Sequence, residues 1–168
     1  WILNWIADAF QYPAKHARVC GIVLRSKEGT GKGKFVNDTV GKLFRPHYFH
    51  LTGDTDKLTG KFNAWVRDNL LIFSDEAVWG GNRKEVGKMK SLITERERAV
   101  EPKYVDAIQY ANYSRVICAS NDSWVVHLTE SDRRWQFIDV SEEFATENVR
   151  TQEQIDTKNQ FFQSIDGG

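Results

Sequence analysis

The stretch LRSKEGTGKGKFV, residues 24–36, contains three glycines and three lysines and joins two segments of different character. Before it lies RVCGIVL, residues 18–24, an apolar and partly β-branched run that is typical of a buried parallel strand. After it, KGKFVNDTVGKLF, residues 32–44, repeats apolar residues with the spacing of an amphipathic helix. The sequence therefore predicts a strand, a tight glycine-rich loop and a helix in direct succession.

The loop has the composition of a phosphate-binding turn. Backbone N–H groups can surround a phosphate where side chains would crowd it, and glycine permits the backbone angles that such a turn needs. The general pattern is G-x-x-x-x-G-K-[ST] between a strand and a helix, and Gly31 and Lys32 match its GK pair. We expect the phosphates of ATP to be bound by Glu28, Gly29, Thr30, Gly31, Lys32, Gly33 and Lys34. The alternative is an ordinary solvated turn.

Two positions depart from that pattern. Ser26 stands in place of the first glycine and is small enough for it, whereas Gly33 stands where a serine or threonine hydroxyl would bind Mg²⁺. Thr30, Ser26 or water could supply the missing ligand. We expect the change at Gly33 to affect Mg²⁺ affinity and turnover more than nucleotide binding.

Acidic residues follow a second apolar run, NLLIFSDEA, residues 69–77. An enzyme that hydrolyses a nucleoside triphosphate needs a carboxylate at the end of a neighbouring strand to hold Mg²⁺, and often a second one to polarise water. Asp75 and Glu76 are the candidates. The alternative is a polar strand end that caps a helix.

Two further segments carry polar residues that could contact the phosphates at such a site. RVICASN, residues 115–121, ends in Asn121, whose amide could reach the terminal phosphate and orient water. SDRRW, residues 131–135, offers Arg133 and Arg134, which could stabilise a transferring phosphate across a subunit boundary. The alternative for either arginine is a structural salt bridge.

Strands that alternate with helices predict an α/β fold with a mostly parallel five-stranded sheet. An amphipathic helix is predicted at residues 1–10, a helix at 83–94 and a closing helix beyond Val149, while residues 95–113 read as an inserted β-hairpin. The chain is thus predicted to contain three regions: an N-terminal helix in 1–17, the core in 18–141 and a C-terminal helical segment in 142–168.

The composition is that of a globular protein of one domain. The chain has 168 residues, of which 40% are hydrophobic and 27% are charged, and its formal net charge is zero. Its apolar runs are too short to cross a bilayer, so we expect no membrane partner. Because the chain begins at Trp1 rather than Met, we expect it to be a piece of a longer protein.

Five segments of the chain resemble the motifs of superfamily 3 helicases and occur in that family's order. They are EGTGKGKF, LLIFSDEA, KSLIT with VEPKYVD, RVICASN and DRRWQFIDV. The likeness is greatest to the ATPase part of phage and large-DNA-virus primase-helicases, and it runs from about Arg18 to Val140. It implies a P-loop NTPase with an AAA+-like core that self-associates into a ring, usually a hexamer. ATP would bind with Mg²⁺ between neighbouring subunits, and single-stranded DNA would pass through the centre.

The resemblance also implies residue roles at the nucleotide. Lys32 would contact the β- and γ-phosphates, Asp75 would hold Mg²⁺ and Glu76 would act as general base on water. Asn121 would sense the γ-phosphate. Arg133 would be the arginine finger from the next subunit, with Arg134 as the alternative.

At the DNA, the family places a basic hairpin between its acidic pair and its sensor asparagine. Residues 95–113 occupy that place, and Lys103 matches the family's lysine, with Arg98 and Tyr104 beside it and Lys90 on the preceding helix. Lysine would bind phosphate and tyrosine could stack on a base. The alternative is a solvated hairpin face.

The function predicted from these features is that of an ATP-dependent DNA helicase or translocase motor of a phage replication protein, an ATPase acting in the host cytoplasm. The alternative from a different class is a catalytically weak nucleotide-binding scaffold of a replication initiator, which Gly33 would favour. A metabolic P-loop kinase explains neither the hairpin nor Asn121 and the arginine pair.

Overall fold

A computed structural model gives the arrangement of the chain. It describes residues 1–15, 20–52, 63–75, 83–101, 104, 106–121 and 132–166. Seven strands are found in this part of the chain: β1 Gly21–Arg25, β2 Tyr48–Thr52, β3 Leu71–Asp75, β4 Glu97–Val100, β5 Ile108–Ala111, β6 Arg115–Ser120 and β7 Trp135–Asp139.

Five of the strands form one parallel sheet in the order β2-β3-β6-β1-β7. The other two, β4 and β5, pair as an antiparallel hairpin. The predicted five-stranded parallel sheet and the predicted hairpin within residues 95–113 are both confirmed. One detail differs from expectation: the strand that ends in Asp75 does not neighbour β1, because β6 lies between them.

Four of the five described helices lie where the sequence predicts a helix, and the short helix Ala64–Arg67 is an addition. They are α1 Ile2–Gln11, α2 (α-helical at Lys32–Lys34, π-helical at Phe35–Val40 and α-helical again at Gly41–Leu43), α3 Ala64–Arg67, α4 Arg83–Thr94 and α5 Gln152–Asp166. The π-helical turns within α2 are not visible in the apolar spacing, which fits an α-helix equally well. None of the described helices combines the length and apolar character that crossing a membrane requires.

Both faces of the parallel sheet are buried, which explains why its strands read as continuous apolar runs. Successive strand residues point to opposite faces, so Ile22 and Leu24 pack under α1 and α2, whereas Val23 belongs to the core on the other face, with residues of α3 and α4. The indole N–H of Trp5 also donates to the carbonyl of Cys20 (2.8 Å), which ties α1 to the start of β1. The sheet therefore holds its strand ends at fixed positions.

Candidate functional site

Three neighbouring strands of the sheet end side by side at one edge. The glycine loop follows β1, Asn121 follows β6 and Asp75 ends β3, and these strands are consecutive in the order β3-β6-β1. In parallel sheets, ligands bind at the carboxyl ends of the strands. Residues 28–33 of the loop, Asp75, Asn121 and Thr146 line one open cavity there. The structure thus brings together the predicted loop, acid and amide.

Lys32 is the centre of the loop. It is the first residue of α2, it is only 7% exposed, and its ammonium donates to three oxygens: the Ser26 carbonyl (2.8 Å), the Ser26 hydroxyl (2.9 Å) and the Lys27 carbonyl (2.9 Å). Burial lowers the pKa of Lys32, while the negative charges of Asp75 and Glu28 act in the opposite direction. The loop therefore folds around a positive charge that lies within the protein.

The hydroxyls of Ser26 and Thr30 complete the inside of the loop, since their oxygens lie 2.6 Å apart in a buried hydrogen bond. Ser26 thus occupies the position of the pattern's first glycine and serves as a partner of Lys32 at the same time. Both hydroxyls therefore make hydrogen bonds inside the loop.

Gly29 and Gly31 have the left-handed backbone angles φ +78° and φ +91°, which favour glycine. They also allow close packing. A Cβ atom on Gly29 would lie 2.2 Å from the Thr146 hydroxyl and 3.1 Å from the Lys158 ammonium, and one on Gly31 would lie 2.4 Å from the Phe162 ring. Both glycines are therefore required by backbone angle and by the C-terminal segment that lies against them.

The C-terminal segment covers the outside of the loop. The backbone N–H of Thr146 donates to the Glu28 carbonyl (2.9 Å), and the ammonium of Lys27 pairs with Glu142 (3.3 Å) and with Glu147. Phe162 is one of three aromatic rings in mutual contact, the others being Phe144 and Phe161. Sequence reasoning missed Thr146, Lys158 and Phe162, and the only available signal was an aromatic pair in an otherwise polar helix.

The carboxylate of Asp75 faces the first turn of α2. A Cβ atom on Gly33 would lie 3.1 Å from Asp75 Oδ2, and His50 Nε2 lies 3.7 Å from the same oxygen. This is the location in which the sequence pattern places a metal-binding hydroxyl beside a metal-binding carboxylate. Glu76, the predicted general base, lies outside the described residues.

The two predicted arginines lie at the opposite edge of the sheet. Trp135 pairs with Gly21 at the start of β1. At about 3.3 Å per residue, the start of β1 lies about 13 Å from its carboxyl end, where the loop begins. Arg133, which is exposed, and Arg134 precede that strand. Neither can reach the loop of its own chain.

Asp132 organises this edge. Its carboxylate pairs with Lys90 (2.9 Å) and with Arg134 (3.1 Å) and is only 6% exposed. Lys90, predicted to contact DNA, and Arg134 therefore each form an ion pair with Asp132.

The hairpin carries the remaining predicted DNA contacts. Arg98 lies on β4, where burial lowers its pKa to about 10 and the negative charge of Glu95 opposes the shift, so its guanidinium is charged at neutral pH. Tyr104 lies in the connection between β4 and β5, is 91% exposed and has a left-handed backbone angle, φ +67°. Lys103 lies outside the described residues.

The fold and the site define a mixed α/β protein with a glycine-rich loop, a buried lysine and a carboxylate at the carboxyl edge of a parallel sheet. The model of a family described as "Family of unknown function (DUF5906)" matches residues 24–134. The chain belongs to this family.

One relative and two solved structures carry the same phage name, NrS-1. The DNA primase-polymerase of Nitratiruptor phage NrS-1 is 29% identical over 141 residues, which is 82% of this chain and 19% of the relative. An apo structure of the NrS-1 C-terminal region superposes with a TM-score of 0.70 at 26% identity, covering 99% of this chain and 41% of that one. A second apo structure, the A form of the same region, gives a TM-score of 0.70 at 24% identity, with 99% and 38% covered. This chain thus spans about a fifth of the full-length relative.

These comparisons correct the predicted function. The relative is named a DNA primase-polymerase, and the similar structures belong to the C-terminal region of NrS-1. The prediction of an ATP-driven helicase motor is therefore wrong. The prediction rests on the resemblance of five motifs to those of superfamily 3 helicases, and such motifs do not by themselves specify what a protein does.

Proposed function

We propose that this chain is the nucleotide-binding module of a primase-polymerase-type phage replication protein, with a P-loop that holds the polyphosphate of ATP. The observation that carries the proposal is the buried ammonium of Lys32, which donates to three oxygens of the glycine loop. Lys32 begins a helix, and the loop before it lies at the carboxyl ends of the strands. A buried positive charge beside backbone N–H groups is suited to a phosphate anion. The resemblance of the loop to superfamily 3 proteins supports the same assignment.

The site also suits Mg²⁺. Asp75 is directed at the first turn of the helix, where an acid would meet a nucleotide-bound cation, and carboxylate oxygen is a ligand that Mg²⁺ accepts. When bound, the ion would neutralise part of the phosphate charge. Asn121 lines the same cavity, and its amide would donate to a phosphate oxygen. The proposal concerns binding, because Glu76, the acid expected to activate water, lies outside the described residues.

Binding of a fluorescent ATP analogue to Lys32→Ala tests this proposal. Hydrogen bonds to charged groups contribute about 1.5–3 kcal/mol, and about 1.4 kcal/mol corresponds to a tenfold change. We therefore expect the affinity to fall by roughly 10- to 150-fold. Lys42→Ala is the matched control, because Lys42 is an exposed lysine at the far end of the same helix. Equal affinities for the two variants, or a wild-type protein that binds no nucleotide, would contradict the proposal.

A second function is favoured by the hairpin. We propose that it contacts single-stranded DNA through Tyr104, whose side chain is 91% exposed. Base stacking on an exposed aromatic ring does not depend on the sequence of the strand, and Arg98 on the same hairpin adds a positive charge. Binding of a labelled oligonucleotide to Tyr104→Ala tests this contact.

A further inference from the structure

The nucleotide site lacks the side chain that its sequence pattern places next to the lysine. Residue 33 is glycine, and a Cβ atom there would lie 3.1 Å from Asp75 Oδ2. A serine or threonine at this position would therefore place its hydroxyl beside that carboxylate. The missing hydroxyl would thus lie next to Asp75, and the question is which group takes its place.

Asn37 lies one turn further along α2. Residues four apart share a face of a helix, and Asn37 Nδ2 is 3.9 Å from the Cβ position of Gly33. Asn37 also belongs to the π-helical segment Phe35–Val40. Single π-helical turns inside α-helices are rare and occur frequently at functional sites. An amide side chain therefore lies next to the position from which the hydroxyl is absent.

Tyr48 holds this amide in place. The Tyr48 hydroxyl donates to Asn37 Oδ1 at 2.5 Å, and its ring lies so close to the helix that a Cβ atom on Gly41 would be 2.7 Å from it. Burial, followed by the negative charge of Asp75, raises the pKa of Tyr48 above its usual range. The phenol is therefore protonated at all ordinary pH values, and it can donate to the amide oxygen or accept from the amide nitrogen.

We propose that Asn37 supplies the oxygen that position 33 lacks, and that its amide and the Asp75 carboxylate together hold the Mg²⁺ of the bound nucleotide. The inference rests on the proposed function. Amide and carboxylate oxygens are both ligands for Mg²⁺, directly or through water. Reversing the amide would present its oxygen to the cation and its nitrogen to Tyr48, so either orientation satisfies the hydrogen bond. Tyr48 is a positioning residue in this arrangement.

The test measures how nucleotide binding depends on metal. A fluorescent ATP analogue is titrated onto wild type, Asn37→Leu and Tyr48→Phe, first over a range of Mg²⁺ concentrations and then in EDTA. Asn37→Leu should raise the half-saturating Mg²⁺ concentration by about 10-fold or more, in line with the loss of metal affinity when supporting groups are removed. Binding in EDTA should stay within about twofold of wild type. Tyr48→Phe should give a smaller change of the same kind.

Restoring the hydroxyl provides the decisive comparison. Gly33→Ser combined with Asn37→Leu should return the Mg²⁺ requirement to near the wild-type value, because the serine side chain would start 3.1 Å from Asp75 Oδ2. Asn159→Leu, an exposed position on α5, is the matched control and should equal wild type. Comparing Asn→Leu at positions 37 and 159 thus shows whether a changed Mg²⁺ requirement comes from the nucleotide site or from any loss of an asparagine.

The outcomes are distinguishable. A wild-type protein that binds no nucleotide under either condition would overturn the proposed function and the role of Asn37 with it. Nucleotide binding with an unchanged Mg²⁺ requirement in Asn37→Leu would overturn the role of Asn37 alone. Equal losses with Mg²⁺ and in EDTA would also overturn it, because they would show that Asn37 supports the loop rather than the metal.

Discussion

Gly31→Ala should destabilise the folded protein strongly, for two separable reasons. The backbone angle φ +91° at Gly31 disfavours an L-residue, which costs about 1–2 kcal/mol. The added methyl would also lie 2.4 Å from the Phe162 ring, and such overpacking costs about 1–3 kcal/mol. Together the free energy of unfolding should fall by about 2–5 kcal/mol.

A double-mutant cycle separates the two contributions. In a Phe162→Ala background the steric part disappears, so Gly31→Ala should cost only the backbone part, about 1–2 kcal/mol. Gly87→Ala is the control, because Gly87 lies in α4 with open space around its Cβ position. There the same substitution should stabilise the helix, by about 0.5–1 kcal/mol.

Urea unfolding followed by circular dichroism measures all four proteins and the control. If Gly31→Ala costs less than about 0.5 kcal/mol, the loop does not have the left-handed conformation on which the site depends. If it costs the same with and without Phe162, the C-terminal helix does not lie against the loop.

Two further predictions concern other parts of the molecule. The hydrogen bond from Lys15 lowers the pKa of Asp8; burial opposes this shift, and the hydrogen bond from Arg115 adds to it. Because the pKa of Asp8 is lower in the folded than in the unfolded protein, the ionised carboxylate stabilises the fold above about pH 4, and this stabilisation is lost on acidification. The melting temperature of wild type should therefore fall more steeply from pH 5 to pH 3 than that of Asp8→Asn, and parallel curves would refute the assignment. Tyr104→Ala should weaken oligonucleotide binding by roughly 5- to 150-fold, since stacking contributes about 1–3 kcal/mol per base. Tyr12→Ala removes another exposed tyrosine (56%) and should leave oligonucleotide binding unchanged. Equal losses in the two variants would contradict a specific contact at Tyr104.

Similarity to a primase-polymerase gives the proposed nucleotide site a context without defining its use. The relative is about four times as long as this chain, since the similar region is 82% of this chain and 19% of the relative, so that region is one part of a larger protein. Within this chain, the packing of Phe162 against Gly31 joins the loop to the C-terminal helix.

Local patterns in the sequence were sufficient for the elements of the fold. The apolar run before the loop and the helical spacing after it predicted β1 and α2, because apolar residues recur at different intervals in buried strands and in amphipathic helices. The same reasoning predicted the parallel sheet, the hairpin and the grouping of the loop, Asp75 and Asn121, since parallel strands all end at one edge. The absent hydroxyl at Gly33 was likewise visible in the sequence.

Only the tertiary structure decided how distant segments complete the site. The placement of β6 between β1 and β3, the packing of Phe162 on Gly31 and the ion pairs of Lys90 and Arg134 with Asp132 join residues far apart in the chain. Such contacts depend on the order in which strands enter the sheet and on which side chains then meet, and neither is encoded in a local periodicity. Asn37 lies between the two cases: its distance from Gly33 follows from helical spacing, but its contact with Tyr48 required β2 to lie beside the helix.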